Sequence, residues 1–398
     1  MSVTKMHPAD EADLINFYPA HLLAKFPRVT PWPEIDPKDW FSWTWQLQHR
    51  LQDWAALQKH FSLLPAEAAA AQADQAKTNP WLHFKISPYY AALINPHDPQ
   101  DPLRAQAIPT IQETIPLPSS HEMPDPLAEE RDMPVPGITH RYPDRVLFYV
   151  ANDCATFCRH CTRKRKVGLS SGRVDPQQWK LGLDYIKEHP QVRDVLVSGG
   201  DPFCLANTAL DFLLQNLRAI KHVEVIRIGT RLLTSLPYRF LDDELIRILA
   251  QYPPLYIHTH FNHPQEITQA SLLAATRLAN HGINLANQTV LLKNINDDAA
   301  IIKRLNHLLL LMRIRPYYLF QGDMTTSTGH FRTSIQKGLE ILDALHGQTS
   351  AMAIPRYAVD LPDGAGKVPL LPNYLIKQNS PEITLRNYQG KICTYWEY

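Results

Sequence analysis

The sequence predicts an α/β protein built on a parallel, barrel-like sheet of roughly six strand–helix units that does not fully close. Three observations predict it. From about residue 145 the chain carries a succession of short apolar runs: VLFYV, DVLVSG, EVIRIG, LYIHTH, NLANQTVLL and IRPYYLF. Such runs suit strands buried on both faces. Amphipathic helices alternate with them: Leu210, Leu213, Leu214 and Leu217 make one apolar stripe, and Ile301, Leu305, Leu308 and Met312 make another. The residues able to do chemistry fall just after these strands, where active sites of such folds collect.

The rest of the chain is assigned in order. Residues 1–105 read as a mostly helical N-terminal region. In DWFSWTWQLQHRLQDWAAL, Leu47, Leu51 and Trp54 recur at helical spacing after Asp39 as the cap. The tract AAAAQADQA reads as a helix end or surface loop. Residues 106–139, with many prolines in IPTIQETIPLPSS and DMPVPG, read as an extended connector lying over the fold. The barrel is assigned to residues 140–330 and a C-terminal region to 331–398. No internal repeat is visible.

Composition excludes several function classes. The 398 residues hold 40 basic and 39 acidic side chains, a formal net charge of +1, which gives no electrostatic case for nucleic acid or an acidic membrane. The N-terminal MSVTKMHPADEADL has no apolar signal region. No run of about 18 apolar residues occurs, so a spanning helix is not expected. The expectation is a soluble cytoplasmic protein. Five cysteines in a chain of this length make no disulfide framework, and their clustering points to metal.

That cluster is CATFCRHC, residues 154–161, which follows VLFYVAND and so occupies the first strand-to-helix loop. Zinc would close its coordination with a fourth ligand, and His160 is available beside Cys161. A [4Fe–4S] cluster takes four cysteines as a rule. Cys154, Cys158 and Cys161 alone leave one iron open to bind a reactant. A structural zinc loop remains the alternative.

The cysteine spacing is that of the radical S-adenosylmethionine enzymes. A narrower resemblance rests on THRYPDRVLFY, CRHCTRKRKV, VRDVLVSGGDP, HVEVIRIGTR, THFNHPQEIT, NQTVLLKNIND, RPYYLFQGD and HFRTSIQKGLEIL. Together these resemble the lysine 2,3-aminomutase family, from about residue 38 nearly to the C-terminus. The resemblance implies a partial (β/α)6 radical S-adenosylmethionine barrel with a C-terminal extension that binds pyridoxal 5′-phosphate. It implies an isomerase in which the open iron chelates S-adenosylmethionine and generates a 5′-deoxyadenosyl radical. That radical abstracts hydrogen from an amino acid joined to pyridoxal phosphate, and the amino group moves from carbon 2 to carbon 3.

Site residues follow from the same resemblance. Ser198, Gly199, Gly200 and Asp201 (SGGD), with His160 and Gln288, match positions around S-adenosylmethionine. The glycine pair also lets backbone approach a ligand closely. Lys367, on a flexible loop in DLPDGAGKVP, matches the lysine that carries pyridoxal phosphate, chemistry open to a lysine whose pKa its site lowers. Arg141 and Arg145 in THRYPDR match arginines that contact this cofactor. Arg163 matches a clamp for the substrate α-carboxylate. Asp323 and Asp360 match a pair of acids that hold the ε-ammonium of lysine, so free L-lysine leads. Arginine, ornithine or glutamate as substrate, a protein-lysine-directed relative, and a zinc-bound scaffold without chemistry stay open. Phe320 stands where clostridial members have tyrosine. Asp298 replaces a cysteine of their intersubunit zinc site and only Cys393 remains in the tail, so that zinc is expected to be absent. Cys204 reads as a structural thiol. The implied partners are a low-potential electron donor such as flavodoxin or ferredoxin and further copies of the chain.

Overall fold

The structure is a computed structural model that describes residue 14 and residues 17–75, 79–118, 122–172 and 174–397. Each of the six apolar runs forms a strand. β1 (Ile138–Tyr142) and β2 (Arg145–Ala151) pair as a hairpin; β3 (Asp194–Gly199), β4 (Val225–Gly229), β5 (Leu255–Thr259), β6 (Asn284–Leu291), β7 (Ile314–Gln321), β8 (Arg356–Leu361) and β9 (Gly366–Pro369) follow in sheet order. Strands β2 to β8 are parallel, and β1 and β9 are antiparallel edges. Six helices make the crossovers: α1 (Pro176–Glu188), α2 (Asn207–Ala219), α3 (Asp243–Ala250), α4 (Gln269–Asn280), α5 (Ala299–Leu311) and α6 (Ile335–Leu345). The two edge strands do not pair, so the barrel is partial. Tyr142 at the end of β1 accepts a hydrogen bond from the Lys367 backbone N–H on β9 (3.2 Å), which bridges the seam.

The helices form where caps and apolar stripes coincide. Asp175 caps α1, accepting from Gln178 N, with Pro176 in the first turn. The α2 leucine stripe is buried as expected. On α5 the inward stripe is Ile302, Leu305, Leu308, Leu309 and Met312 rather than one that starts at Ile301. Asp298 caps that helix by accepting from Ala300 N and Ile301 N. This gives the residue a structural reason to be aspartate.

Three expectations are corrected. The barrel strands are not buried on both faces. Val195, Val197, Ile226, Ile228, Leu255 and Ile257 point outward into one core shared with the helices. Their neighbours Asp194, Ser198, Arg227, Tyr256 and His258 point inward and line a cavity of about 1250 Å³. The barrel encloses a ligand space instead of a packed lumen. Second, the stretch over residues 37–58 is not one helix capped by Asp39. It is three short helices, Pro37–Trp40, Trp43–Gln48 and Trp54–Gln58, capped in turn by Asp36, Ser42 and Asp53. Each cap offers the backbone a local alternative to continuing the helix, and Leu51 instead bridges to Ile86. Third, the barrel sheet continues past residue 330 through β8 and β9 to Pro369.

Beyond it lies a separate antiparallel sheet, β10 (Leu375–Asn379), β11 (Glu382–Arg386) and β12 (Ile392–Trp396), which the sequence pattern did not reveal. Among the described residues no helix is long and apolar enough to cross a membrane.

Candidate active site

The cysteine loop, residues 152–169, leaves the end of β2 and closes on itself where Gly168 N donates to Asn152 O (2.8 Å). Charge holds it from two sides. Asp153 pairs with Arg50 and Lys85, each at 2.9 Å, and Arg50 also donates to the Cys154 carbonyl (2.7 Å). On the other side the connector supplies acids. Glu113 takes both Arg159 (2.5 Å) and Lys164, all three groups being at most 3% exposed. Glu129 takes Arg163 through Nε (3.0 Å) and Nη2 (2.7 Å). Arg165 meets Asp125 at 2.9 Å and Glu130 at 3.3 Å. Burial alone would raise the Glu113 carboxyl, but Arg159 and then Lys164 outweigh it and hold the pKa down at about 2. Sequence reasoning missed Glu113 and Glu129. The signal was the match between the basic run RHCTRKRK and the acids of IQET and LAEERD.

All three cysteines of the loop are free thiols that line the cavity. Cys161 Sγ accepts from Arg163 N at 3.3 Å, and Cys158 Sγ accepts from Arg231 Nη1 at 2.8 Å. Burial pushes the Cys154 thiol up, and pushes Cys161 up to about 11. Gathered thiolates therefore require a cationic group among them, which iron supplies. Among the described residues no three His, Cys, Asp or Glu side chains converge on a single-ion position. A four-iron cube takes one thiolate per iron, and the loop offers three thiols to the cavity. The donor set fits a cluster.

The SGGD turn at the end of β3 lies on the base of this loop. Gly200 N donates to Ala151 O (2.6 Å) and Asp201 N to Asp153 O (2.8 Å). A Cβ on Gly199, whose φ is +137°, would sit 2.2 Å from Ala151 O, and one on Gly200 would sit 2.6 Å from Asp153 O. The approach that demands glycine is thus made by the cysteine loop itself. Ser198 Oγ accepts from Arg163 (3.2 Å). The Asp201 carboxylate is taken up internally, by Thr230 Oγ1 (2.9 Å), Arg231 N (2.7 Å) and Phe203 N (3.1 Å). It ties the ends of β3 and β4 together, and burial lifts its pKa to about 7 despite those donors. His160 is buried and neutral: burial, then Arg231, press its pKa well below 6.5. Its Nδ1 is buried with no partner among the described residues, while Nε2 lies 3.3 Å from Asn262. Gln288 projects from β6 beside His258 (3.3 Å).

A second group gathers around β8 and β9. The turn Pro362–Gly364 joins them, with Asp363, Gly364 and Gly366 at φ of 54°, 64° and 95°. Lys367 therefore sits on a strand of a tight hairpin, not on a flexible loop. It is the cross-strand partner of Asp360, and Nζ pairs with Oδ1 at 2.9 Å. The same ammonium lies 5.2 Å from the Phe320 ring centroid. Asp323 follows β7. Burial first, and Asp360 second, raise its pKa to about 7, opposed by Lys367. Arg141 bonds Asp132 (2.9 Å) and the Leu127 carbonyl, and Arg145 pairs with Asp144 (2.8 Å) while stacking 3.8 Å over Tyr142.

One cavity brings together all the residues singled out from sequence as site residues, from Arg141 to Lys367. Cys204 is partly buried outside its lining, and Cys393 is exposed on β12. The cavity exceeds the usual range for one small ligand, about 300–1,000 Å³, and has room for two.

Comparison with known proteins places the chain in a family. The Radical SAM superfamily model matches residues 148–305, and the model described as Lysine-2,3-aminomutase matches residues 342–398. The L-lysine 2,3-aminomutase of Fusobacterium nucleatum subsp. nucleatum is 45% identical, over 92% of this chain and 84% of that protein. That of Clostridium subterminale is 43% identical, over 92% and 86%. The glutamate 2,3-aminomutase of Clostridioides difficile is 42% identical, over 89% and 82%. The chain belongs to the lysine 2,3-aminomutase family of radical S-adenosylmethionine enzymes.

Proposed function

We propose that this enzyme interconverts L-lysine and β-lysine. As a member of its family it is an isomerase, an aminomutase, whose cofactors are a [4Fe–4S] cluster, S-adenosylmethionine and pyridoxal 5′-phosphate. When bound, these supply a hydrogen-abstracting radical and a π-system that spreads the unpaired electron.

The chain's own residues do the rest. Cys154, Cys158 and Cys161 hold the cluster, on a loop kept in place by its buried ion pairs. Ser198 to Asp201, His160 and Gln288 line the S-adenosylmethionine space; of these, Asp201 acts by bracing the turn. Lys367 anchors pyridoxal phosphate through its amine, and Arg141 and Arg145 serve the phosphate as cationic donors. Arg163 receives the α-carboxylate in exchange for part of its pairing with Glu129.

Overall identity does not choose the substrate, because the glutamate enzyme is as close as the clostridial lysine enzyme to within one per cent. The observation that carries lysine is the pair of acids: Asp360 already binds an ammonium, that of Lys367, beside a second, partly buried carboxyl, Asp323. A substrate ammonium satisfies both acids, whereas a glutamate side chain would add a third anion to the same space. Incubation of the reduced enzyme with S-adenosylmethionine and, separately, lysine, glutamate, arginine or ornithine tests this. β-Lysine is the expected product, and faster turnover of glutamate overturns the assignment.

A low-potential donor such as flavodoxin or ferredoxin supplies the electron. The enzyme is a homo-oligomer, a reading supported by the exposed Ile376, Ile392, Tyr395 and Trp396 of the C-terminal sheet.

A further inference from the structure

Arg231 ends the GTR stretch just past β4 and is 7% exposed. Its guanidinium reaches four groups from separate parts of the chain. Nη1 donates to Cys158 Sγ at 2.8 Å. Nη2 donates to Glu266 Oε1 (2.7 Å), Gln106 Oε1 (2.8 Å) and the Tyr90 hydroxyl (3.2 Å). Its Nε is buried and has no acceptor among the described residues. The backbone N–H of the same residue is fixed by Asp201. A side chain needed only to tie the loops together had carboxylate, amide and hydroxyl partners enough on its Nη2 side. The Nη1 group is instead aimed at a sulfur, and arginine holds its charge in any such site.

We infer that Arg231 sets the reduction potential of the cluster on Cys154, Cys158 and Cys161 by a charge-assisted hydrogen bond to the Cys158 sulfur. This rests on the reading that those cysteines hold a cluster. Reduction adds one electron from a low-potential donor and no proton, so the reduced state is the more negative. A fixed cation and an N–H donor at a ligand sulfur stabilise that state and raise the potential. The buried setting enlarges the effect, because little water screens the charge. Glu266 works in the opposite direction. Its Oε1 partly neutralises Arg231, while its Oε2 accepts from Asn262 N (2.5 Å) and His263 N (3.0 Å).

The experiment is a potentiometric titration of the purified holoenzyme with dithionite and mediator dyes. The magnetic resonance signal of the reduced cluster is read at each potential, with iron and sulfide measured alongside. In Arg231→Gln the reduced-to-oxidised ratio at a fixed potential should fall about tenfold, a midpoint shift of about 59 mV downward for a one-electron couple. Arg231→Lys, which keeps the charge and loses the planar fork, should fall between the two. In Glu266→Gln the midpoint should rise, because the amide oxygen can keep the Oε2 bonds while the neutralising charge is gone. Loosening of the loop would not move the two variants in opposite directions. An unchanged midpoint in Arg231→Gln with full iron content overturns the inference. If that variant loses iron, an unchanged or lowered midpoint in Glu266→Gln overturns it. Unsubstituted protein that takes up no iron would instead sink the cluster reading itself.

Discussion

The cysteine loop and the β8–β9 hairpin line the same cavity but are held in opposite ways. On the connector side of the loop the innermost ion pairs are dry: Arg159, Lys164 and Glu113 are at most 3% exposed. Neither partner can leave without stranding a buried charge. On the hairpin, the Lys367 side chain is 36% exposed, and its pair with Asp360 is screened on one side by water. Its ammonium can exchange partners at small cost. The difference teaches which part of the reaction must not move. On the proposed reading the cysteine loop is fixed by buried pairs, whereas Lys367 and Asp360 would hold each other only until cofactor and substrate arrive.

The comparison breaks most completely at the ligands. Cys158→Ser should abolish both the reduced cluster's magnetic resonance signal and turnover; an intact cluster in that variant would refute its place in the site. Next, Lys367→Ala should retain the cluster but show no borohydride-trapped pyridoxal adduct at this position. Mass spectrometry that places the adduct on another lysine in the unsubstituted protein would remove Lys367 from its role.

The third test contrasts the two kinds of ion pair directly. Glu113→Gln leaves Arg159 and Lys164 buried without their shared anion and should cost roughly 3–5 kcal/mol of stability. Asp360→Asn, at a pair whose lysine is 36% exposed, should cost about 0–1 kcal/mol. Denaturant unfolding of the two variants measures both, and equal losses would erase the distinction. In activity the order reverses. Asp360→Asn or Asp323→Asn should lower kcat/KM for lysine by about 10²–10³-fold, at roughly 1.4 kcal/mol per decade. Arg163→Lys should hurt every amino acid alike, since all carry the α-carboxylate.

The smallest effect is on pH. The Asp323 carboxyl titrates at about 7 in the folded protein against an ordinary 3.8. Below pH 7 it is protonated and one of the two anions facing the substrate ammonium is lost. Thus kcat/KM for lysine should fall up to tenfold per pH unit, with the Asn variant flat across that window. For stability the folded state binds the extra proton between those two values. Asp323 therefore destabilises the fold as pH rises from about 4 through 7, and Asp323→Asn should melt higher at pH 8. His258 acts with the other sign. Burial, then Arg227, lower it to about 4 from 6.5, so stability is lost as pH falls across that range.

Much of this was legible because its causes are local. CATFCRHC places its three ligands within eight residues, so their spacing alone reports a shared task. The strands could be read because each apolar run is bounded by turns. The faces of those strands could not. Leu196 is as apolar in sequence as Val195 and Val197, yet it lines the cavity and they fill the core. Only the curvature of the closing sheet decides which side encloses space. Lys367 was recognisable beside its glycines, but its geometry was not: the φ values of Gly364 and Gly366 make a hairpin that sets it opposite Asp360.

Sequence by itself determined the alternation of strands and helices and the gathering of three cysteines within eight residues, because each is written in neighbouring residues. Tertiary structure decided the partners. Glu113 lies 46 residues from Arg159, Glu129 lies 34 from Arg163, and Arg231 lies 73 from Cys158. Such pairings follow from the path of the connector over the barrel and from the angle at which β4 delivers its last residue, and no local pattern encodes either. A charge becomes costly to leave unpaired only once folding has removed the water around it, so which charges matter is settled by burial.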